Sequence, residues 1–189
     1  GFFNDRLPEE NRKILFVSRL IKEKNMSSIF HTYELVKAAS DKVSFVITGD
    51  GPMREWLERK MPNALFTGKI TGEELAKVYA SCDVFFFPSF TETFGNVVIE
   101  ALASGLPVVS ADAGGPSELV RDGKNGYLIK SGRSQEFAEK LLKIINDEDL
   151  RSEMSKEAIT SIHDRSLESL HNQLWEIYKN VLSDYHSNS

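Results

Sequence analysis

The chain has 189 residues, 41% hydrophobic and 27% charged, with a formal net charge of −5. This is an ordinary soluble globular composition, long enough to bury about 70% of the surface its unfolded chain exposes, and it excludes disordered, collagen-like and disulfide-rich classes. Residues 1–132 carry 16 basic and 17 acidic side chains and residues 133–189 carry 7 and 11, so the acidity sits in the tail, and the lack of a basic, aromatic-interleaved stretch puts nucleic-acid binding last among the candidate functions.

Residues 1–11 begin Gly1-Phe2-Phe3 rather than with Met and are expected to be a linker or a trimmed edge. From Lys13 to Leu128 short β-rich runs alternate with helical patterns, which predicts a parallel sheet with crossover helices. The expected strands are Ile14–Val17, Val43–Thr48, Ala64–Thr67, Val84–Pro88, Pro107–Ser110 and Tyr127–Ile129. They read as nearly continuous apolar runs, the pattern of strands buried on both faces. Between the first two, Met26, Ile29, Phe30, Tyr33 and Val36 recur at helical spacing; between the third and fourth, Leu75, Val78 and Tyr79 do the same.

Cys82, the single cysteine, precludes a disulfide framework or a Cys-based metal cluster, and a reducing, cytoplasmic setting is the simplest reading. The stretch Val97–Ala103 is apolar on nearly every side and predicts a deeply packed helix, stopped by Gly105 and Pro107. After Gly132, Phe137, Leu141, Leu142 and Ile145 mark one amphipathic helix and Leu167, Leu170, Leu174, Tyr178 and Val181 another. The expected organisation is one α/β domain over 12–183, Rossmann-like, with a doubly wound parallel six-stranded sheet and C-terminal helices over about 148–183, then a frayed tail over 184–189. No apolar run approaches a membrane span, and nothing at the start resembles a signal peptide.

Open parallel sheets bind ligands outside the carboxyl ends of their strands, so the residues after each strand carry the functional argument. The first strand is followed by Ser18-Arg19-Leu20-Ile21-Lys22-Glu23-Lys24, a cluster of cations at a helix start. Cations are disfavoured there by the helix dipole, so the cluster is either an anion site or a solvated patch partly neutralised by Glu23. Gly49-Asp50-Gly51-Pro52 fails as a dinucleotide fingerprint because Arg54 stands where the third glycine belongs; locally it reads as a tight turn with Pro52 at the first helical position.

The run Pro88-Ser89-Phe90-Thr91-Glu92-Thr93-Phe94-Gly95-Asn96 ends a strand and opens a helix, and Glu100 follows one turn in. A carboxylate in that apolar run costs several kcal/mol unless something satisfies it. Amides from Gly95 to Val98 suit a phosphate, and Glu92 and Glu100 flank them as acceptors for sugar or ribose hydroxyls. Alternatively, Glu92 is a solvated loop residue and Glu100 pairs with a cation. No histidine has ligand spacing, no GxSxG elbow is present, and Asp147-Glu148-Asp149 reads as a solvated capping or surface cluster, so no metal is expected.

The E-x7-E spacing of Glu92 and Glu100 resembles the signature of retaining glycosyltransferases of the family 4 type with the GT-B fold. Ser18-Arg19-Leu20 with Lys24, Gly49-Asp50-Gly51-Pro52, Phe66-Thr67-Gly68, Cys82-Asp83 through Pro88-Ser89, and Ala113-Gly114-Gly115-Pro116 with Glu118 resemble that family in order and spacing, over roughly residues 12–183. The resemblance implies one half of a GT-B fold, the donor-binding half, with most of the acceptor site on an N-terminal domain that this sequence lacks. It implies that Arg19 and Lys24 grip the diphosphate of a UDP- or GDP-sugar, with Asn96 and Val97 adding backbone contacts. Glu92, Phe94 and Gly95 then serve the sugar, Glu100 the ribose, and Lys69 and Ile70 the base. Catalysis would rest on Glu92, Arg19 and Lys24 without a metal or cofactor. The acceptor, whether lipid, polysaccharide or small molecule, is not legible. A binding module without transferase activity is the competing expectation, and a nicotinamide-dependent enzyme is disfavoured by Arg54.

Overall fold

A computed structural model describes residue 3, residues 6–90 and residues 95–163. Six parallel strands form one sheet: β1 (Arg12–Val17), β2 (Val43–Thr48), β3 (Leu65–Gly68), β4 (Val84–Phe87), β5 (Val108–Ala111) and β6 (Gly126–Ile129). Their spatial order is β3-β2-β1-β4-β5-β6. The order reverses between β1 and β4, the switch point at which such sheets open a crevice. The expected strands are all present, with ends displaced by up to two residues; β1 begins at Arg12 because Arg12 and Lys13 continue the register against Val43 and Ser44.

The helices are α1 (Met26–Ala39), α2 (Arg54–Lys60), α3 (Gly72–Ala80), α4 (Asn96–Ala103), α5 (Gly114–Leu119) and α6 (Ser134–Asn146). Helix α1 packs on α2 and α6, and α4 packs on α5. Right-handed crossovers in this strand order put α1 and α2 on one face of the sheet and α3, α4 and α5 on the other, and α6, which packs on α1, joins the first face. Strand β4 reads Val-Phe-Phe-Phe and every one of its side chains is fully buried, so it feeds both layers. Phe86 meets Phe137 of α6 edge-on at 5.4 Å, whereas Phe85 meets Tyr79 of α3 at 5.9 Å. Alternation of side chains along a strand produces this division.

Residues 148–163 form a further helix. Its start is fixed by Asp147, whose Oδ1 accepts from the Leu150 amide at 2.9 Å, so of the two roles expected of that acidic triplet, capping or a plain surface cluster, Asp147 takes the first. Met154 and Ala158 enter the core, and the Ser161 hydroxyl meets the buried Asn125 amide at 3.0 Å. The amphipathic run Leu167, Leu170, Leu174, Tyr178 and Val181 lies outside the described residues. At the amino ends of the strands, Asp83 accepts from Arg12 at 3.1 Å and from the Lys13 amide at 2.8 Å, and Arg151 lies 3.9 Å away. Arg151 also donates to the carbonyls of Ile144 and Ile145, satisfying the end of α6. Cys82 is a free thiol.

Two expectations are corrected. Helix α2 begins at Arg54, after a turn in which the Arg54 amide donates to the Gly51 carbonyl, so Pro52 precedes the helix instead of opening it. Helix α4 is not packed on all sides: Val98, Ala101 and Leu102 are buried, while Asn96, Glu100 and Ala103 are exposed. Eight residues make little more than two turns, and only one face of them reaches the sheet.

Candidate functional site

All strands being parallel, the segments after them meet at one edge of the sheet. The segment after β1 is built by the one after β2. Ser18 donates to the Thr48 carbonyl, Leu20 to Asp50, and Met53 back to Leu20, which continues the β1–β2 ladder beyond both strands. The contact is close enough that a Cβ on Gly49 would lie 1.8 Å from the Ser18 carbonyl oxygen, and one on Gly51 2.5 Å from that of Leu20. The two glycines are therefore required by backbone approach across some thirty residues as well as by their positive φ, 133° and 153°.

This seam presents Arg19 to solvent at the carboxyl end of β1, and a one-turn 3₁₀ segment, Lys22–Lys24, follows. Lys24 is only 9% exposed, so its ammonium is held close to the body of the domain instead of trailing in water. Asn25 closes the segment in the left-handed conformation (φ 58°), and its side-chain amide donates to the Pro88 carbonyl at 3.3 Å. The cationic loop after β1 is thereby tied to the end of β4 across the switch point.

After β4, Ser89 is buried and Phe90 is exposed; Glu92 and Phe94 fall outside the described residues. Gly95 caps α4 with φ +65°, and its Cα rests against α5, where a Cβ would meet Leu119 Cδ1 at 2.9 Å and the Pro116 nitrogen at 3.4 Å. Val98 and Ile99 donate to the Gly95 carbonyl, so the amides of Asn96 and Val97 precede the helical ladder, as first-turn amides do. Glu100 lies one turn on. Its Oε2 accepts a hydrogen bond from the Tyr79 hydroxyl at 3.0 Å, which satisfies the carboxylate through a neutral donor on α3. A cavity of about 330 Å3 lined by Gly72, Leu75, Tyr79, Glu100 and Ala103 adjoins it. Lys69 is exposed and Ile70 half-buried just after β3, on the way to that cavity.

Arg19, Lys24, Lys69, Ile70, Gly95, Asn96 and Val97 thus all follow carboxyl ends of strands, and Glu100 stands at the α3–α4 contact. Sequence reasoning missed Tyr79 and Asn25 as parts of this edge. The demand of Glu100 for a partner was the available signal for Tyr79; nothing local singled out Asn25.

The family described as glycosyl transferases group 1 matches residues 2–161. The chain belongs to that family. A GDP-mannose-dependent alpha-mannosyltransferase of Corynebacterium glutamicum is 38% identical over 177 residues, covering 93% of this chain and 42% of that protein. Staphylococcus aureus TarM, solved in complex with UDP, superposes with a TM-score of 0.80 at 27% identity, covering 92% of this chain and 36% of TarM. The C-terminal domain of a group 1 glycosyl transferase (LpcC) from Francisella tularensis shares the fold with a TM-score of 0.76 at 22% identity, covering 87% of this chain and 90% of that domain. The fold is the Rossmann-like sheet of GT-B glycosyltransferases. The chain spans less than half the length of the C. glutamicum relative.

Among the described residues, no helix is long and apolar enough to cross a membrane.

Proposed function

We propose that this chain is the donor-binding half of a retaining, metal-independent glycosyltransferase that moves a hexose from a nucleoside-diphosphate sugar to an acceptor held by an N-terminal domain. Among UDP- and GDP-sugars we favour GDP-mannose, the donor named for the relative that is 38% identical. The observation that carries the reading is Glu100: an exposed carboxylate, held by Tyr79, one turn behind the amides of Asn96 and Val97. A fixed acceptor pair beside helix-start amides suits ribose hydroxyls next to a diphosphate.

Cleavage of the sugar–phosphate bond builds negative charge on the leaving diphosphate and positive charge at the anomeric carbon. Preorganised positive groups on the leaving side lower that barrier. Arg19 and Lys24 serve that side as cations, with the Asn96 and Val97 amides aligned with the helix dipole. Gly95 admits the backbone close to the sugar, Glu92 and Phe94 contact the sugar, and Glu92 steadies the cationic face at the anomeric carbon. Lys69 and Ile70 edge the base. A lone free thiol suits a cytoplasmic setting.

A second reading has its own support: the chain spans only 42% of that relative, so it binds the donor and turns over nothing by itself. Calorimetric titration of GDP-mannose and UDP-glucose, repeated on Lys24→Ala, tests the binding claim, and a transfer assay tests the second reading. Donor binding that weakens about tenfold or more in Lys24→Ala supports the site; equal affinity in both proteins removes Lys24 from it, and sugar transfer by these 189 residues alone refutes the second reading.

A further inference from the structure

We infer that Tyr79 is the positioning residue that presents the Glu100 carboxylate to the ribose of the donor, an inference that rests on the ribose-binding reading of Glu100 above. Tyr79 closes the last turn of α3, is 2% exposed, and packs its ring against Phe85 at 5.9 Å. Its hydroxyl reaches the gap between α3 and α4, 3.0 Å from Glu100 Oε2 and 3.3 Å from the Val97 carbonyl oxygen. One proton faces two acceptors, and the shorter bond to the charged oxygen takes it.

Glutamate is a flexible side chain, and on the open face of α4 it would sample several rotamers. The rigid, buried tyrosine removes that freedom by holding Oε2. A carboxylate accepts about four hydrogen bonds, so one from Tyr79 leaves Oε1 and the second lone pair of Oε2 for two vicinal hydroxyls. Burial, reinforced by the charge of Glu100, pushes the Tyr79 hydroxyl well above its ordinary range. It therefore stays protonated, and a donor to Glu100, across the ordinary pH range. Glu100 itself is exposed, so water already solvates its carboxylate and the bond from Tyr79 adds orientation, not burial of a charge.

Phenylalanine at position 79 keeps the ring and its packing and removes only the hydroxyl. The experiment titrates GDP and UDP, and the 2′,3′-dideoxy form of whichever binds better, into the chain, Glu100→Ala and Tyr79→Phe. The expected result is a loss of about 3- to 10-fold for the natural diphosphate in Tyr79→Phe, a larger loss in Glu100→Ala, and equal affinities of all three proteins for the dideoxy ligand. A ligand without ribose hydroxyls is blind to how Glu100 is held, so a packing defect would weaken both ligands alike and overturn the inference. If Glu100→Ala loses affinity and Tyr79→Phe does not, Tyr79 does not position it and the ribose reading survives. If Glu100→Ala binds like the unaltered chain, the ribose reading itself fails.

Discussion

The side-chain amide of Asn25 donates to the Pro88 carbonyl at 3.3 Å, joining the loop after β1 to the end of β4 over 63 residues of sequence. Among the described residues Asn25 is the only one other than glycine with positive φ, at 58°. Asparagine tolerates that conformation better than other side chains. The residue thus sets where Lys24 ends and α1 begins while bracing both sides of the switch point.

Asn25→Ala is expected to lower stability by about 2 kcal/mol, the sum of a left-handed alanine and a lost hydrogen bond. Asn25→Gly keeps the backbone and loses the bond, so its loss is about half as large. Urea unfolding of both variants checks the ratio; equal losses would mean that the conformation of Asn25 is not what the chain needs there.

Gly49→Ala is expected to cost at least about 3 kcal/mol, because its Cβ would sit 1.8 Å from a backbone oxygen that no rotamer change can move. Gly123→Asn is the control: its φ is +73° and a Cβ there meets nothing within 4 Å. Its stability should stay within about 0.5 kcal/mol of the unaltered chain. Circular dichroism with chemical denaturation distinguishes them.

The contrast at Gly49 marks how far the sequence could be read. The strands were legible as apolar runs: β2, β4 and β5 are buried throughout, β3 at the sheet edge is only half-buried, and β2 has the predicted bounds, Val43–Thr48. The Phe137 and Leu141 periodicity located α6 because one face of that helix is buried. The glycines of Gly49-Asp50-Gly51 were visible, but their cause was not: the atoms they approach belong to Ser18 and Leu20, about thirty residues earlier. Likewise Glu100 stood out in its apolar run, but that it is exposed and that Tyr79 donates to it depended on how α3 and α4 pack. Periodicity reports burial along one element; it does not report which side chains of two elements meet.

Arg151→Ala is expected to destabilise the domain by about 2 kcal/mol without changing donor affinity more than about twofold. Its side chain is 12% exposed and serves the carbonyls of Ile144 and Ile145 near Asp83, at the amino ends of the strands, opposite the proposed site. Thermal unfolding and calorimetric titration of the same sample check the two halves. A marked fall in affinity would mean that the two ends of the sheet are coupled.

Tyr79 gives a pH dependence whose sign is fixed. Its folded hydroxyl titrates far above the ordinary value of 10.0 because it is buried and faces Glu100. The unfolded chain therefore releases that proton first, so the contribution of Tyr79 to stability is intact below about pH 10 and falls above it, by up to about 1.4 kcal/mol per pH unit. Tyr79→Phe lacks this loss. The stability difference between the two proteins should be constant from pH 7 to about 9 and move in favour of Tyr79→Phe above about 10; parallel profiles across that range would show that the hydroxyl is not held neutral.

The location of the donor is the central claim, and amide chemical-shift mapping in a 15N-labelled chain titrated with GDP-mannose tests it most directly. Perturbations are expected to cluster in residues 18–25, 69–72 and 95–100, at the carboxyl edge of the sheet. Shifts centred on residues 12–13, 83 and 148–155 would place the ligand at the opposite edge and contradict it.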